Sequence, residues 1–320
     1  MGAEVLGYSL VPEEETLSTY FKDIVPINNI YADIRDYDTL LQSMQEFQPD
    51  IVIHMAAQPI VLESYIHPRE TFETNVQGTV NVLEAVRHCE SVKLLLNVTT
   101  DKVYLNENLG NDFVETDKLC GFDPYSNSKS CSELVTFSYY NSFFKDRDMG
   151  LATLRAGNVI GGGDFAKFRI VPDCARSLAQ NAPIVLRNPT STRPYQHVLE
   201  ALFAYLRVGS ALYGKNCFDS VNVGPDTDMT TREIATIFCQ TWGGNSQWTS
   251  VQQENAPAEA KLLRLDTTHL KTTYNWKQIL DGKESVEFSV VWYKAWAEKD
   301  IDKCLFITKS QIDYFCDYSQ

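Results

Sequence analysis

The chain has 320 residues, 44% of them hydrophobic and 22% charged, which is enough to bury a large core and is not the composition of a disordered or fibrous protein. A formal charge of −14 argues against nucleic acid as a partner, and an anionic ligand would need a local arginine cluster. No stretch approaches an apolar membrane span, and the eight cysteines show no CxxC spacing, so the expectation is reduced thiols, no metal site, no membrane partner and a cytoplasmic chain.

In chain order, residues 3–10 read as a short strand with no glycine-rich dinucleotide turn after it. A strand-like run at 30–32 leads into Asp33, Ile34, Arg35 and Asp36. Asp36 is placed to cap a helix over 37–47, while Asp33 and Ile34 have an alternative use at the adenine end of a bound dinucleotide. Residues 50–54 are a continuous apolar strand of the kind that parallel sheets bury on both faces. It ends in Met55, Ala56, Ala57, Gln58 and Pro59, where small side chains would let a cofactor approach the backbone. His54 reads as structural.

A helical period spans 68–91 and is interrupted on its buried face by Asn75, which is either a structural bridge or a ligand contact. Residues 92–98 form a buried strand followed by Thr99, Thr100, Asp101 and Lys102, and strand C-terminal ends are where open α/β sheets keep their ligands. Tyr125 and Lys129, four apart, share one helix face, so an ammonium can favour the phenolate and make Tyr125 a base near neutral pH. Strand 150–155 and a glycine-rich turn at 156–164 follow; Gly161, Gly162 and Gly163 need not cradle a phosphate.

The alternation of strand and helix up to residue 145 argues for an α/β fold with a parallel sheet of βαβ units. Beyond it, Arg169, Arg187 and Arg193 recur in an otherwise acidic chain, as solvated surface or as a guanidinium clamp on a diphosphate. From Thr230 onward, helices carry all the tryptophans, as a smaller lobe closing over a site would.

The ordered set His54-Met55-Ala56-Ala57-Gln58-Pro59, Thr74-Asn75-Val76-Gln77-Gly78-Thr79, Thr100-Asp101-Lys102, Asp123-Pro124-Tyr125-Ser126-Asn127-Ser128-Lys129, Arg155 to Asp164 and Arg193-Pro194-Tyr195-Gln196-His197 resembles the extended short-chain dehydrogenase/reductases. Within them it resembles the nucleotide-sugar dehydratase/epimerase group, and most of all the CDP-glucose 4,6-dehydratases, which have a lysine at the position of Lys102 where the dTDP-glucose and GDP-mannose branches hold a glutamate. The resemblance implies a Rossmann-like doubly wound parallel sheet with a smaller C-terminal substrate lobe. It places an NAD-binding domain over 1–160, with a return segment about 198–225, and a nucleotide-sugar lobe over 161–197 and 226–320.

By the same resemblance, Tyr125, assisted by Thr100 and Lys129, takes the 4-hydroxyl proton. Asp101 is the acid for the departing 6-hydroxyl, and Lys102 stands where the family base is. Asp33, Ile34, Ala56, Ala57, Gln58, Asn75, Tyr125 and Lys129 match contacts to NAD. Asn158, Arg169, Arg187, Arg193 and His197 match contacts to a nucleotide-diphospho sugar, CDP-glucose in the first place. A homodimer follows by analogy. The alternatives are a nucleotide-sugar-binding fragment or pseudoenzyme, and a nucleotide-sugar epimerase. Leu62, where relatives carry Arg, and Tyr195, where they carry Trp, depart from the pattern.

The largest departure is at the start. The chain begins at what matches the second strand of these relatives and is expected to be N-terminally truncated, lacking their first strand, glycine-rich turn and first helix. In a sheet of order 3-2-1-4-5-6 that loss separates the strands ending by Ile34 from those beginning at Ile51 and leaves unpaired edges and an uncovered apolar face. It also removes the helix N-terminus that binds a pyrophosphate, so weak NAD binding is expected.

Overall fold

In the computed structural model, residues 2–12, 16–21, 27–107, 110, 112–251 and 263–318 are described. Strand β1 (Leu6–Ser9) leads through the short helix α1 (Leu17–Phe21) to β2 (Asn28–Tyr31) and then to α2 (Tyr37–Phe47). Asp36 caps α2, its Oδ1 accepting the Thr39 amide at 3.2 Å, which satisfies one of the amides a helix start leaves free. Strand β3 (Ile51–His54) is followed by α3 (Val61–Ile66) and α4 (Pro68–Phe72), and a wide π-helical turn at Glu73–Gln77 joins α4 to α5 (Gly78–Arg87). The helix expected over 68–91 therefore exists with a bulge, and Asn75 sits in it.

Strand β4 (Leu94–Val98) and the single-turn helix Asp101–Val103 precede α6 (Pro124–Tyr139). Pro124 supplies the first helical position and Asp123 the cap, accepting from Ser126 N at 2.9 Å. After α6 come β5 (Gly150–Ala156), β6 (Asn158–Ile160), α7 (Ile170–Ala179), β7 (Ile184–Leu186), β8 (Thr192–Arg193), β9 (Tyr195–His197), α8 (Val198–Leu212) and β10 (Cys217–Val223). The rest of the chain forms β11 (Met229–Thr230), α9 (Thr231–Trp242), β12 (Trp248–Ser250), α10 (Thr268–Tyr274), α11 (Gly282–Ala297) and α12 (Ile301–Tyr318).

Strands β3, β4, β5 and β10 form one parallel sheet in the order β10-β5-β4-β3. Alongside it, among the described residues, β1 and β2 pair only with each other, Leu6 opposite Asn28 through Ser9 opposite Tyr31. The break falls between Ile34 and Ile51, where the sequence places it. One expectation is corrected: β3 is not buried on both faces. Ile51 and Ile53 are 48% and 44% exposed, whereas Leu94, Leu95 and Leu96 on β4 are buried, because among the described residues β3 is an edge strand with one hydrogen-bonded neighbour.

Among the described residues, three large apolar clusters and a small one around Val103, Tyr104 and Leu265 fill the interior. One packs β4, β5 and β10 against α8 and α10; a second packs the opposite face of the sheet against α2 and α5. The third joins α7, α9, α11 and α12 in the C-terminal part. Two short helices cross the division expected from sequence. Helix α1 lies within the first 160 residues, yet Phe21 belongs to the third cluster and Trp296 Nε1 donates to the Tyr20 hydroxyl at 3.2 Å. Helix α10 lies beyond residue 226, yet Leu270 and Tyr274 pack with the sheet. Among the glycines, Gly162 is a packing requirement, since a Cβ there would lie 2.2 Å from Trp292 Cγ.

Candidate active site

The C-terminal ends of β4 and β5 meet the start of α6, and that junction collects the predicted acid/base groups. Asp101 is fully buried directly after β4. Its Oδ1 accepts the Thr100 hydroxyl at 2.9 Å and Lys102 Nζ at 2.8 Å; its Oδ2 is buried with no partner among the described residues. Lys102 Nζ donates a second hydrogen bond to Asn158 Oδ1, from the start of β6, at 3.2 Å. Burial opposes the Lys102 charge, but the Asp101 carboxylate and the Tyr125 phenol outweigh it and hold this lysine above its ordinary value.

Tyr125 is buried in the first turn of α6. Burial raises its phenol, while Lys102 and a hydrogen bond with Thr100 pull it back, with weaker help from Arg169. Lys102 thus acts on the phenol from outside the helix, a cation that helix periodicity does not show. Lys129 Nζ donates to Val98 O at 3.1 Å, and burial lowers it to about 8 against the opposing charge of Glu133. Both lysines converge on one site from different elements, and only the Lys129 relation to Tyr125 follows from helix periodicity.

Behind this pair lies a buried ionic cluster that sequence reasoning missed. Glu133, one helical turn beyond Lys129, receives Arg155 in two hydrogen bonds, Nε to Oε1 at 3.1 Å and Nη2 to Oε2 at 2.9 Å, and also accepts the Thr99 hydroxyl. Arg155 Nη1 donates to the Tyr104 hydroxyl at 2.9 Å, and that hydroxyl donates to Asn222 Oδ1 at 2.6 Å. The cluster ties β4, β5, β10 and α6 together beneath the site. The i+4 spacing of Lys129 and Glu133 was the one local signal; the distant partners had none.

The residues matched to a cofactor divide. Asn75 proves to be a bridge: Oδ1 accepts Gln58 N at 2.8 Å, and Nδ2 donates to Gln58 O at 3.1 Å and to Ser128 Oγ at 2.9 Å, pinning the loop of Ala56, Ala57 and Gln58 to α6. His54 is structural, bonded to Thr79 Oγ1 at 3.1 Å, and burial lowers it to about 3. Asp33 forms an ion pair with Arg35 at 2.6 Å, and Ile34 is buried in the second cluster.

Of the residues matched to a substrate, Asn158 joins the acid/base group. Arg169, at the cap of α7, pairs with Asp164 at 3.1 Å and acts electrostatically on Tyr125. Arg193 is buried, close enough to oppose the charge of Lys102. Arg187 lies apart on the surface, its guanidinium 5.8 Å from the Phe168 ring centre. His197 is not brought to the site's surface: it caps α8, its Nδ1 accepting Leu199 N at 3.3 Å, and its ring is buried beside Phe288 and Phe315.

A parallel α/β sheet whose strand ends present a Tyr/Lys pair and an acid/base pair defines a short-chain dehydrogenase/reductase. The family model for GDP-mannose 4,6-dehydratase matches residues 15–287. The CDP-glucose 4,6-dehydratase of Salmonella typhimurium is 43% identical over 92% of this chain and 85% of its own length. The dTDP-glucose 4,6-dehydratase of Xanthomonas campestris pv. campestris is 23% identical over 85% of this chain and 81% of its own length. Among solved structures, a UDP-glucose 4-epimerase from Stenotrophomonas maltophila with bound NAD superposes with a TM-score of 0.81 at 22% identity, covering 93% of this chain and 92% of that one. A dTDP-glucose 4,6-dehydratase from Bacillus anthracis in complex with NAD gives 0.74 at 18%, covering 95% and 91%. The chain belongs to the GDP-mannose 4,6-dehydratase family of NAD-dependent nucleotide-sugar enzymes.

The residues present fit NAD at its nicotinamide end. Tyr125 is a buried hydroxyl, Lys129 a buried amine with one of its donors spent on Val98 O, and the Gln58 loop is held in place by Asn75. At the pyrophosphate end, no glycine-rich turn joins a strand to a helix N-terminus among the described residues, and Gly162 is taken up by packing on Trp292.

Proposed function

We propose that this chain is a nucleotide-sugar 4,6-dehydratase that converts CDP-glucose to its 4-keto-6-deoxy derivative in the cytoplasm. The observation that carries the reading is the Asp101–Lys102 pair, held at 2.8 Å beside Tyr125 at the end of β4. A Tyr/Lys pair alone suffices for oxidation at C4; losing water across C5 and C6 also needs a base and an acid on the same face of the sugar. NAD, when bound, supplies the acceptor for the C4 hydride and its donor at C6.

Tyr125 takes the proton from the 4-hydroxyl, with Thr100 orienting the phenol. The ketone formed at C4 acidifies the C5 proton, and Asp101 and Lys102 move the two protons of the elimination. Arg169 and Arg193 are the cations near enough to hold the diphosphate, and Asn158 fixes Lys102. In this reading Arg187 belongs to the nucleotide end of the site, and His197 acts through the start of α8, which it caps. The division into an NAD half and a sugar-nucleotide half belongs to this reading, with α1 and α10 crossing between them. So does a homodimer, for which the exposed Tyr65, Ile66, Phe72, Leu134 and Phe137 on α3, α4 and α6 supply an apolar face. No helix among the described residues is long and apolar enough to cross a membrane.

The test is conversion of CDP-glucose, in parallel with UDP-, dTDP- and GDP-glucose, at millimolar NAD, followed by mass spectrometry for the loss of water. CDP-glucose is expected to react fastest, and turnover of none of the four refutes the reading. The detached β1–β2 pair favours a second reading, a sugar-nucleotide-binding protein without turnover, which binding of CDP-glucose in the absence of NAD and without conversion would support.

A further inference from the structure

We propose that the two proton-transfer roles of the elimination are divided in the opposite sense to that implied by the family resemblance: Asp101 Oδ2 takes the C5 proton, and Lys102 Nζ protonates the departing O6 and is reloaded from Tyr125 through Thr100. This assignment rests on the dehydratase reading above.

Hydrogen-bond geometry carries it. Asp101 Oδ1 accepts from two donors, the Thr100 hydroxyl and Lys102 Nζ, as the oxygen of an ionised carboxylate does. The vacant acceptor position of Asp101 is Oδ2, which is buried and has no partner among the described residues. Lys102 Nζ gives two of its hydrogens to the oxygens of Asp101 and Asn158. The third remains on the open side, where the Lys102 side chain is 25% exposed against 0% for Asp101. In the ion-paired state the group free to accept a proton is therefore the carboxylate, and the group free to give one is the ammonium. A Lys102 base would first have to surrender its proton beside a buried carboxylate, which favours keeping it.

The step balances. Asp101 Oδ2 bonds to the C5 proton, the C5–H electron pair becomes the C5=C6 double bond, and the C6–O6 bond breaks. The Lys102 N–H bond breaks at the same time and its proton leaves with O6 as water. Asp101 is now a neutral acid and Lys102 a neutral amine. When hydride returns to C6, the double-bond pair takes the proton back from Asp101 at C5, and the carboxylate is restored. Lys102 is one proton short, and Tyr125 still carries the proton taken from the 4-hydroxyl. Thr100 lies between the two, acting on the Tyr125 phenol and donating its hydroxyl to Asp101 Oδ1, with Lys102 next on that oxygen. The water thus carries away the proton that Lys102 held, the O4 proton replaces it on Lys102, C5 regains a proton from Asp101, and the net proton count is unchanged.

The test uses Lys102→Met and Asp101→Asn, compared with the unmodified chain on CDP-glucose in D2O. Both variants are expected to lose product formation by about 10²–10⁴-fold. They separate at C5: Lys102→Met keeps its base and washes deuterium into C5 of recovered substrate, while Asp101→Asn leaves protium there. Deuterium in Asp101→Asn but not in Lys102→Met overturns the assignment. If the unmodified chain neither exchanges C5 nor forms product, the dehydratase reading itself has failed. A second measurement needs no cofactor: in 15N-lysine-labelled protein, the resonance lost in Lys102→Met is expected to be that of an ammonium at pH 7, and a neutral amine there overturns the proposal.

Discussion

The middle of the sheet and its free edge are built from the same kind of sequence and end up in opposite environments. Strands β4 and β5 are apolar runs whose side chains are buried, and the polar residues at their ends are bound into networks reaching α6 and β10. Strand β3 is an equally apolar run, yet both its isoleucines face outward, and among the described residues the β1–β2 pair beside it is bonded to no other strand. Burial is a property of neighbours: an Ile-Val-Ile run is a core strand only when strands or helices cover both its sides. The buried polar networks belong to the covered region, and the exposed apolar surface belongs to the edge.

Stability measurements can break this comparison. Arg155→Met leaves Glu133 buried without its partner and is expected to cost about 3–5 kcal/mol in urea unfolding, whereas Arg35→Met, which opens an exposed pair with Asp33, costs about 0–1 kcal/mol. Equal losses would show that the central network is not the stronger region. Next in size, Leu96→Ala in β4 is expected to cost about 3 kcal/mol and Ile53→Ala in β3 about 1 kcal/mol or less, because Ile53 has already kept much of its surface in water.

The smallest effect sharpens the boundary. His54, the last residue of β3, is buried, and its imidazole is lowered to about 3. Between its ordinary value of 6.5 and about 3, the unfolded chain binds a proton that the folded chain refuses, so stability rises with pH and is lost as pH falls through that window. His54→Gln is expected to flatten the slope by up to about 1.4 kcal/mol per pH unit. An unchanged slope would place the inner end of β3 with the exposed edge.

Much of the site is legible in the order of residues along the chain, because its signals are local. Tyr125 and Lys129 are one helical turn apart, Asp101 and Lys102 directly follow an apolar strand, and Asp123-Pro124 announces the helix that carries the pair. What the sequence could not show is which polar group spends itself on the protein. Asn75 fits a bridge or a ligand contact equally well until Gln58 and Ser128 are seen to occupy its amide. His197 fits a binding motif until it is found capping α8 between aromatic rings.

The sequence by itself determined the class of fold, the break after Ile34 and the strand ends and helix on which the candidate acid/base residues sit, since each depends on periodicity or on adjacency along the chain. Tertiary structure alone brought a second cation, Lys102, close enough to act on Tyr125. It also decided that Asp101 offers one free oxygen, and that Glu133, Arg155, Tyr104 and Asn222 close a network beneath them. Those relations join strand ends and helix faces far apart in the chain, and distance in space, not order in sequence, sets the strength of a charge or a hydrogen bond.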